Sequence, residues 1–487
     1  MKDKLEHYDH LFRFLKCSIR CILMQTWVTT FLLSMFGTGS VYAADLLQLV
    51  DGSSLQGEFV QINDGNIRIK HQFIQNDINF KSDRVEWLRF GHMIDQEPQL
   101  EPSAYFRFAN DDHVYGQLVK MDEKNVVIRA VTGDILTAEK KFLKSVTHLP
   151  DGYRLLYEGP MGNDSWRMTR RASNFSSSTL SQKQPGWRFR NGIFVAEGPG
   201  LLGRSFPLKD TVYIEFDLNW IGFFSLYLGL FSDSADTYDY RSQSYRLTLS
   251  PASAAVQKIQ PNMRLFEFGR IRFPDMQESS MVSLGLLVNR VENTITLFKD
   301  GKVIKEFKEK QNSIPSGNGI VFSSNSTGPY LKLTRLHIST WSGDQPFFSP
   351  TSKKIESDIL FLKNSDLVQG KIDAVSNKSV SVTTPFFKAG IPSDRIIHYA
   401  FADVAEESDI LNSSSFIRAS LFGGGKITFN LNSWDEGKVL GASPVFGDLS
   451  FKSDLVRQVV FSLEDKSNQF DFGDGFQEVI WDDPEKN

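Results

Sequence analysis

Cysteine is nearly absent from this chain. Two occur in 487 residues, Cys17 and Cys21, and both lie in a basic, apolar leader. The remainder therefore offers no disulfide, no thiolate metal site and no cysteine nucleophile. A surplus of basic charge is absent too. The formal net charge is −4, and the leader carries five bases and three acids, so residues 44–487 stand at −6. Nucleic acid, which needs a concentrated cationic surface, is not an expected partner. Motifs for metal or nucleophilic chemistry are also missing. Six histidines follow the leader, His71, His92, His113, His148, His337 and His398, with no His-Glu-x-x-His or His-x-His spacing. No Gly-x-Ser-x-Gly elbow occurs. Phe422-Gly423-Gly424-Gly425-Lys426 matches a phosphate loop only superficially, because its first glycine is missing and Ile427 stands at the hydroxyl position. No segment after the leader has the caps and periodicity of a strong helix.

The leader reads as a targeting segment. Lys2, Lys4, Arg13, Lys16 and Arg20 precede an apolar run from Ile22 to Phe36, and Val41-Tyr42-Ala43 presents the small residues a signal peptidase accepts. An uncleaved anchor is the alternative. Gln25, Thr26, Thr29, Thr30 and Ser34 dilute that run, and about 20 apolar residues are needed to span a bilayer. The expectation is a signal peptide over 1–43, cleavage near Ala43/Ala44, no transmembrane segment afterwards, and a periplasmic or extracellular protein. Without disulfides, such a protein must hold itself by packing. Its aromatic content of 13%, dominated by 40 phenylalanines, suits that.

What the chain does have is repetition. One motif occurs at 46–90, 105–149, 358–401 and 415–461, in two pairs that bracket a different middle. In the first copy, turns at Asp51-Gly52 and Asp64-Gly65 separate short alternating strands through Leu47/Leu49, Leu55/Phe59, Ile67/Ile69, Ile78/Phe80 and Val85/Leu88. Gly57 corresponds to Gly116 and Gly370, and Ile67/Ile69 to Val126/Ile128 and Val380/Val382. Phe80-Lys81-Ser82-Asp83 recurs in the last copy as Phe451-Lys452-Ser453-Asp454. The fourth copy has Gly423-Gly424-Gly425 at its turn and lacks the mid-strand glycine. Glycine inside a strand marks a bulge or sharp bend, so copy four is expected to be the most distorted. The pattern resembles Sm-like or SH3-like small barrels, which implies compact five-stranded units. The plain reading of every residue named here is core and turn, while small barrels of this kind often bind peptides or RNA. The aromatic ladder of single-strand nucleic-acid binders is missing.

The middle contains longer β runs. Thr211–Trp220 alternates, and Phe224–Phe231 is apolar on both faces, as a central sandwich strand should be. Residues 288–307 form a hairpin about Asp300-Gly301, and 317–343 supply two closing strands ending at Trp341. The ITLFKDGK hairpin and the closing GNGIVFSS…LTRLHISTWSG resemble the concanavalin A-like or laminin-G-like jelly roll. The whole arrangement resembles a group of exported bacterial proteins, and 187–220 is similar to the start of the sandwich in sugar hydrolases of the keto-disaccharide type. The expected organisation is a signal peptide 1–43, small barrels 44–100 and 101–150, a jelly-roll sandwich 151–345, a linker 346–357, small barrels 358–405 and 412–463, and an acidic aromatic tail 464–487.

Glycosidases of the jelly-roll families carry Glu-x-Asp-x-x-Glu on one strand. Here Glu215 and Asp217 fall on one strand face, and Trp220 stands at the third acid position. The pair reads equally as solvated acids, or as acids that hold a sugar without cleaving it. Asp233, Asp236 and Asp239, beside Tyr238 and Tyr240, suit calcium, sugar stacking, or simply a polar loop. The tail mixes eight acids and two bases with Phe470, Phe472, Phe476 and Trp481, and reads as disordered, self-docking or partner-binding.

The expected protein is all-β: a central jelly-roll sandwich flanked by two pairs of small five-stranded barrels. The expected function is non-catalytic binding of a glycan or an envelope protein through the sandwich. The alternatives are a carbohydrate-active hydrolase and a structural envelope scaffold. Candidate ligand-binding residues are Glu215, Asp217, Trp220, Asp233, Asp236, Tyr238, Asp239 and Tyr240. No catalytic or metal residue is assigned, and calcium is the one cofactor the acids suit.

Overall fold

Short alternating runs between Asp-Gly turns fold as the pattern demands, into antiparallel strands. The computed structural model describes residues 44–91, 101–161, 165–170, 186–190, 192–235, 242–260, 264–277, 279–309, 314–325, 331–341, 355–376, 378–406, 410, 415–435 and 437–461. The leader, the acidic tail, and Asp236, Tyr238, Asp239 and Tyr240 lie outside them. One small unit comprises 1–44 with 91–93. The elements that follow all belong to the other, 45–90 with 94–487.

Copy one runs Asp45–Leu49, Ser54–Asn63, Asn66–Lys70, Ile78–Lys81 and Val85–Arg89, with a single 3-10 turn, Ser82–Arg84, before its last strand. Its first strand pairs with the second and the fifth, the second also with the third, and the third with the fourth. Among the described residues no pairing joins fourth to fifth; the 3-10 turn spans that gap. The same plan recurs at 104–148, 359–400 and 416–460, each with its 3-10 turn before the fifth strand. Ile67, Val126, Val380 and Val439 are each 0% exposed at one third-strand position. Fully burying one such side chain is worth about 1.5–3 kcal/mol.

The expected distortion of copy four does not occur. In every copy the second strand slips register at the same place: between Phe59/Gln61, Leu118/Lys120, Ile372/Ala374 and Leu431/Ser433. In copies one to three, the glycine two residues earlier lets the strand approach the third strand. A Cβ on Gly57 would lie 2.5 Å from Ile69 Cγ2, and one on Gly370 2.6 Å from the Thr383 carbonyl. In copy four Phe429 occupies the glycine position, and Gly441 occupies that of Ile69, where a Cβ would collide with the Phe429 ring. The small residue has moved from the second strand to the third, and the close approach survives.

Among the described residues, copies one and two do not pair with each other, nor do copies three and four. Copy one pairs with copy four through their fifth strands, Val459 opposite Leu88, and through their second strands, Ile62 opposite Trp434. Copy two pairs with copy three in the same two ways, Val146 opposite Tyr399 and Met121 opposite Val375. Phe59, Phe90 and Trp434 seal the first pair with ring centres 5.1–5.4 Å apart. In the second, Thr147 Oγ1 lies 2.8 Å from His398 Nδ1, and His148 Nε2 lies 3.0 Å from the Tyr399 hydroxyl. One buried apolar cluster runs through all four copies.

The middle is a jelly-roll sandwich of two antiparallel sheets. One has the order Trp187–Arg190, Ile193–Ala196, Leu331–Thr340, Thr211–Trp220, Met281–Asn289, Thr294–Lys299, Lys302–Lys308, with Arg154–Gly159 also on Leu331–Thr340. The other has Arg167–Arg170, Gly200–Ser205, Gly319–Ser324, Leu226–Ser232, Ser244–Ser250, Ser253–Ile259, Leu265–Arg272. Thr211–Trp220 and Leu226–Ser232 therefore lie in opposite sheets. Ile214, Phe216 and Leu218 face the core between the sheets, with each 0% exposed. A second cluster ties the sandwich's outer face to copy two: Tyr213, Leu287, Phe298 and Trp341 against Tyr115, Val131 and Leu149 of copy two, with Tyr153 at the start of the sandwich segment.

The glycine exchange in copy four yields a double-mutant test. Gly441→Ile and Phe429→Gly should each lower unfolding free energy by about 2–4 kcal/mol, through overpacking and a cavity respectively. Together they recreate the copy-one arrangement, and their combined cost should fall short of the sum by at least about 1 kcal/mol. Urea unfolding midpoints of the four proteins measure this, and strict additivity would refute the exchange.

Candidate functional site

Thr211–Trp220 turns Tyr213, Glu215 and Asp217 to the face directed at copy two, as the two-residue period requires. The neighbouring strand carries a bulge there: Glu215 lies opposite His337, and Asp217 opposite Thr334. The bulged stretch contains Arg335 in a left-handed conformation, φ +45. A bulge re-aims its side chain. The Arg335 guanidinium pairs with Asp217, one nitrogen 2.7 Å from Oδ1, donates to Ser283 Oγ at 3.2 Å, and lies 3.9 Å from Glu215. Tyr213 donates to Glu215 Oε2 at 3.3 Å. Burial pushes Glu215 up to about 7, with Arg335 opposing that and Asp217 adding to it. The two acids share a face as expected, and a guanidinium sits against both.

This face is one wall of a cavity of about 150 Å³ at the junction of sandwich and repeats. Copy two supplies Tyr105, Arg107, Asp111 and His113; copy three His398; copy four Arg418 and Lys426; the sandwich Glu158, Glu215, Arg335 and His337. Glu158 is the hub. Its Oε1 lies 2.6 Å from His113 Nε2 and accepts from the Tyr115 hydroxyl at 3.4 Å, while Oε2 accepts from the Gly425 backbone N–H at 2.9 Å. Burial alone would raise Glu158. His113, Lys426 and the Gly425 N–H outweigh it and hold the carboxyl well below the usual range. His337 stands 3.3 Å from the Tyr115 hydroxyl and 3.1 Å from that of Tyr153, and burial depresses it to about 4. Burial likewise depresses His398 to about 3 and lowers Lys426.

Of the described residues expected from sequence, only Glu215 lines this cavity, and Asp217 braces its Arg335. Trp220 is 4% exposed and packs on Phe224 with ring centres 5.0 Å apart, so it offers no face to a ligand. Asp233 accepts from the Gln243 backbone N–H at 3.3 Å. Asp236, Tyr238, Asp239 and Tyr240 fall outside the described residues. Among those described, no group of three or more His, Cys, Asp and Glu residues is gathered to hold a metal ion. Glu158, His113, Tyr105, Arg107, Arg418 and Lys426 went unrecognised, because they sit in separate segments with no local motif. The one signal was the Gly423–Lys426 turn. Gly424 and Gly425 have φ +93 and +110, and a Cβ on Gly424 would strike Leu155 and the Tyr115 ring. The turn is glycine-rich because it must press on the sandwich, and the anion it meets is Glu158.

The chain matches no protein-family model, and no curated protein matches it. Among solved structures it is similar to sheep galectin-11 in complex with glycerol, at 14% identity over 29% of this chain and 97% of that one, TM-score 0.23. It is similar to the carbohydrate-binding module CBM66 from Bacillus subtilis, at 10% identity over 32% and 91%, TM-score 0.25. The Bacillus licheniformis beta-glucanase matches at 11% identity over 40% and 100%, TM-score 0.28. Overlap this slight transfers neither ligand nor reaction.

Glu215 gives a pH test. Its carboxyl holds a proton more tightly folded (about 7) than unfolded (about 4.5), so its contribution to stability is present at low pH and is lost as pH rises through that window. His337 works oppositely, losing stability as pH falls from about 6.5 towards 4. Glu215→Gln should therefore gain on the wild type, by on the order of 2 kcal/mol, between pH 5 and pH 8. Urea unfolding across that range checks it; a constant difference would mean Glu215 titrates normally.

Proposed function

We propose that this is an exported, non-catalytic binding protein that takes a polar, sugar-like ligand in the junction cavity. One observation carries the reading: a small cavity where four separate parts of the chain bring one aromatic ring, Tyr105, together with guanidinium, ammonium and carboxylate groups. Sugars are held that way, with a ring face on an aromatic and hydroxyls on short-range polar partners. A cavity of about 150 Å³ suits one sugar residue better than a protein surface, which favours a glycan over an envelope protein. The leader, with its basic start, apolar run and Val41-Tyr42-Ala43, supports export.

Non-catalytic binding is favoured because the acids are already engaged. Glu158 uses both oxygens on the protein, and Asp217 is held by Arg335. A hydrolase reading is favoured by one feature: two carboxylates on a single cavity with protonation pushed apart, Glu215 up and Glu158 down, the pattern of an acid–base pair.

A glycan array probed with the mature protein should return a defined set of ligands. Arg107→Gln and Lys426→Gln should each weaken binding of the best one at least about ten-fold, the scale of one charge-assisted hydrogen bond, with melting temperature held in Arg107→Gln and lowered in Lys426→Gln, which takes a compensating charge from buried Glu158. Unchanged affinity in both would remove the cavity from consideration. Release of reducing sugar by the wild type, abolished in Glu215→Gln, would establish the hydrolase instead.

A further inference from the structure

Copies two and four meet by a contact separate from the fifth-strand pairings, which join one to four and two to three. Their second strands pair where they begin, Lys426 opposite His113 and Gly425 opposite Val114. Phe446, in copy four's loop between third and fourth strands, packs on Phe108 of copy two with ring centres 4.8 Å apart. Asp112 of copy two accepts from the Thr428 backbone N–H at 2.9 Å and from its hydroxyl at 2.6 Å.

Among the described residues, copies one and three carry the same surface uncovered. Ser54 and Leu367 hold the positions of Lys426 and His113, and both are exposed. Their third strands join only from Glu58 and Lys371 onward, so among the described residues no strand lies against the second edge there. The loops corresponding to that of Phe446 present Phe73 and Phe386, 83% and 92% exposed, where Phe446 is 7% exposed. Ile74 and Phe387 beside them are also exposed. An open strand edge flanked by exposed aromatic side chains is a template for another strand.

The preceding turns say which half each copy offers. In copy two, Asn110 donates to Asp112 at 2.8 Å and the Asp112 N–H to Asn110 at 3.2 Å, around Asp111 at φ +63. Copy three repeats this with Asn364 and Asp366, at 2.5 and 3.2 Å, around Ser365 at φ +70. Copy four has a glycine, Gly424, at the left-handed position, and copy one has Gly52 there, φ +86. Copy one also shares the Phe-Lys-Ser-Asp string with copy four.

We propose that a second copy of this chain covers these surfaces, copy three of one molecule pairing with copy one of the next as copy two pairs with copy four. Leu367 then lies opposite Ser54 in an antiparallel pair, and Asp366 meets Gln56 as Asp112 meets Thr428. Each molecule offers one half at copy one and the other at copy three, so association is heterologous and head-to-tail.

The cysteine-free body allows a direct test. With Cys17 and Cys21 changed to serine, Ser54→Cys and Leu367→Cys proteins are prepared separately, mixed and mildly oxidised. Residues directly opposite in an antiparallel pair lie within disulfide reach. The expected result is a covalent heterodimer on mixing, with at least ten-fold less dimer from either protein alone. In analytical ultracentrifugation the serine background should gain mass with concentration. Phe73→Asp with Phe386→Asp should return it to monomer without lowering the melting temperature, since both side chains are exposed. A background that stays monomeric to about 100 μM, weaker than any specific contact of this kind, would overturn the proposal. So would no cross-link on mixing, or equal yield from one variant alone.

Discussion

An unpaired strand edge is the constraint from which the rest of this structure follows. A five-stranded unit of this size leaves backbone N–H and C=O groups open at its edges and too little core to stand alone. The chain answers by pairing unit with unit through their fifth strands. The pairs are nested, outer with outer and inner with inner. Residues far apart in sequence, such as Thr147 and His398, are thereby brought within hydrogen-bond distance.

That nesting creates the junction. Once copy two is tied to copy three on one side and copy four on the other, its Tyr115 and Val131 lie against the sandwich's outer face. Glu158 then reaches His113 of copy two and the Gly425 N–H of copy four together. A buried carboxylate needs such partners, since unpaired it would be costly. The cavity lies where the bulged strand of the sandwich faces the repeats, and charged and polar side chains line it.

Two local devices make the geometry possible, and both are backbone devices. A glycine at one of two cross-strand positions lets second and third strands close up, and Phe429/Gly441 shows that the pair matters rather than the position. Arg335, left-handed at a bulge, is turned onto Glu215 and Asp217 rather than continuing the alternation of its strand.

Periodicity, turns and repeat spacing were legible in the sequence because they are local. Period-two alternation with Asp-Gly turns determines strands wherever one face must be buried, and it correctly placed Glu215 and Asp217 on one face. The role of Trp220 was not legible: alternation put it on the opposite face from the acids, but only the packed sandwich shows that this face is the core. Neither was the meaning of Gly423–Gly425, whose partner lies in another domain. Four 45-residue motifs announce how many units there are. Which unit pairs with which depends on edges meeting in space, and nothing local encodes that. The sequence by itself determined the all-β class, the units and the strand faces. Only the tertiary structure decided the nested pairing, and with it a cavity whose walls come from the sandwich and from three of the four copies.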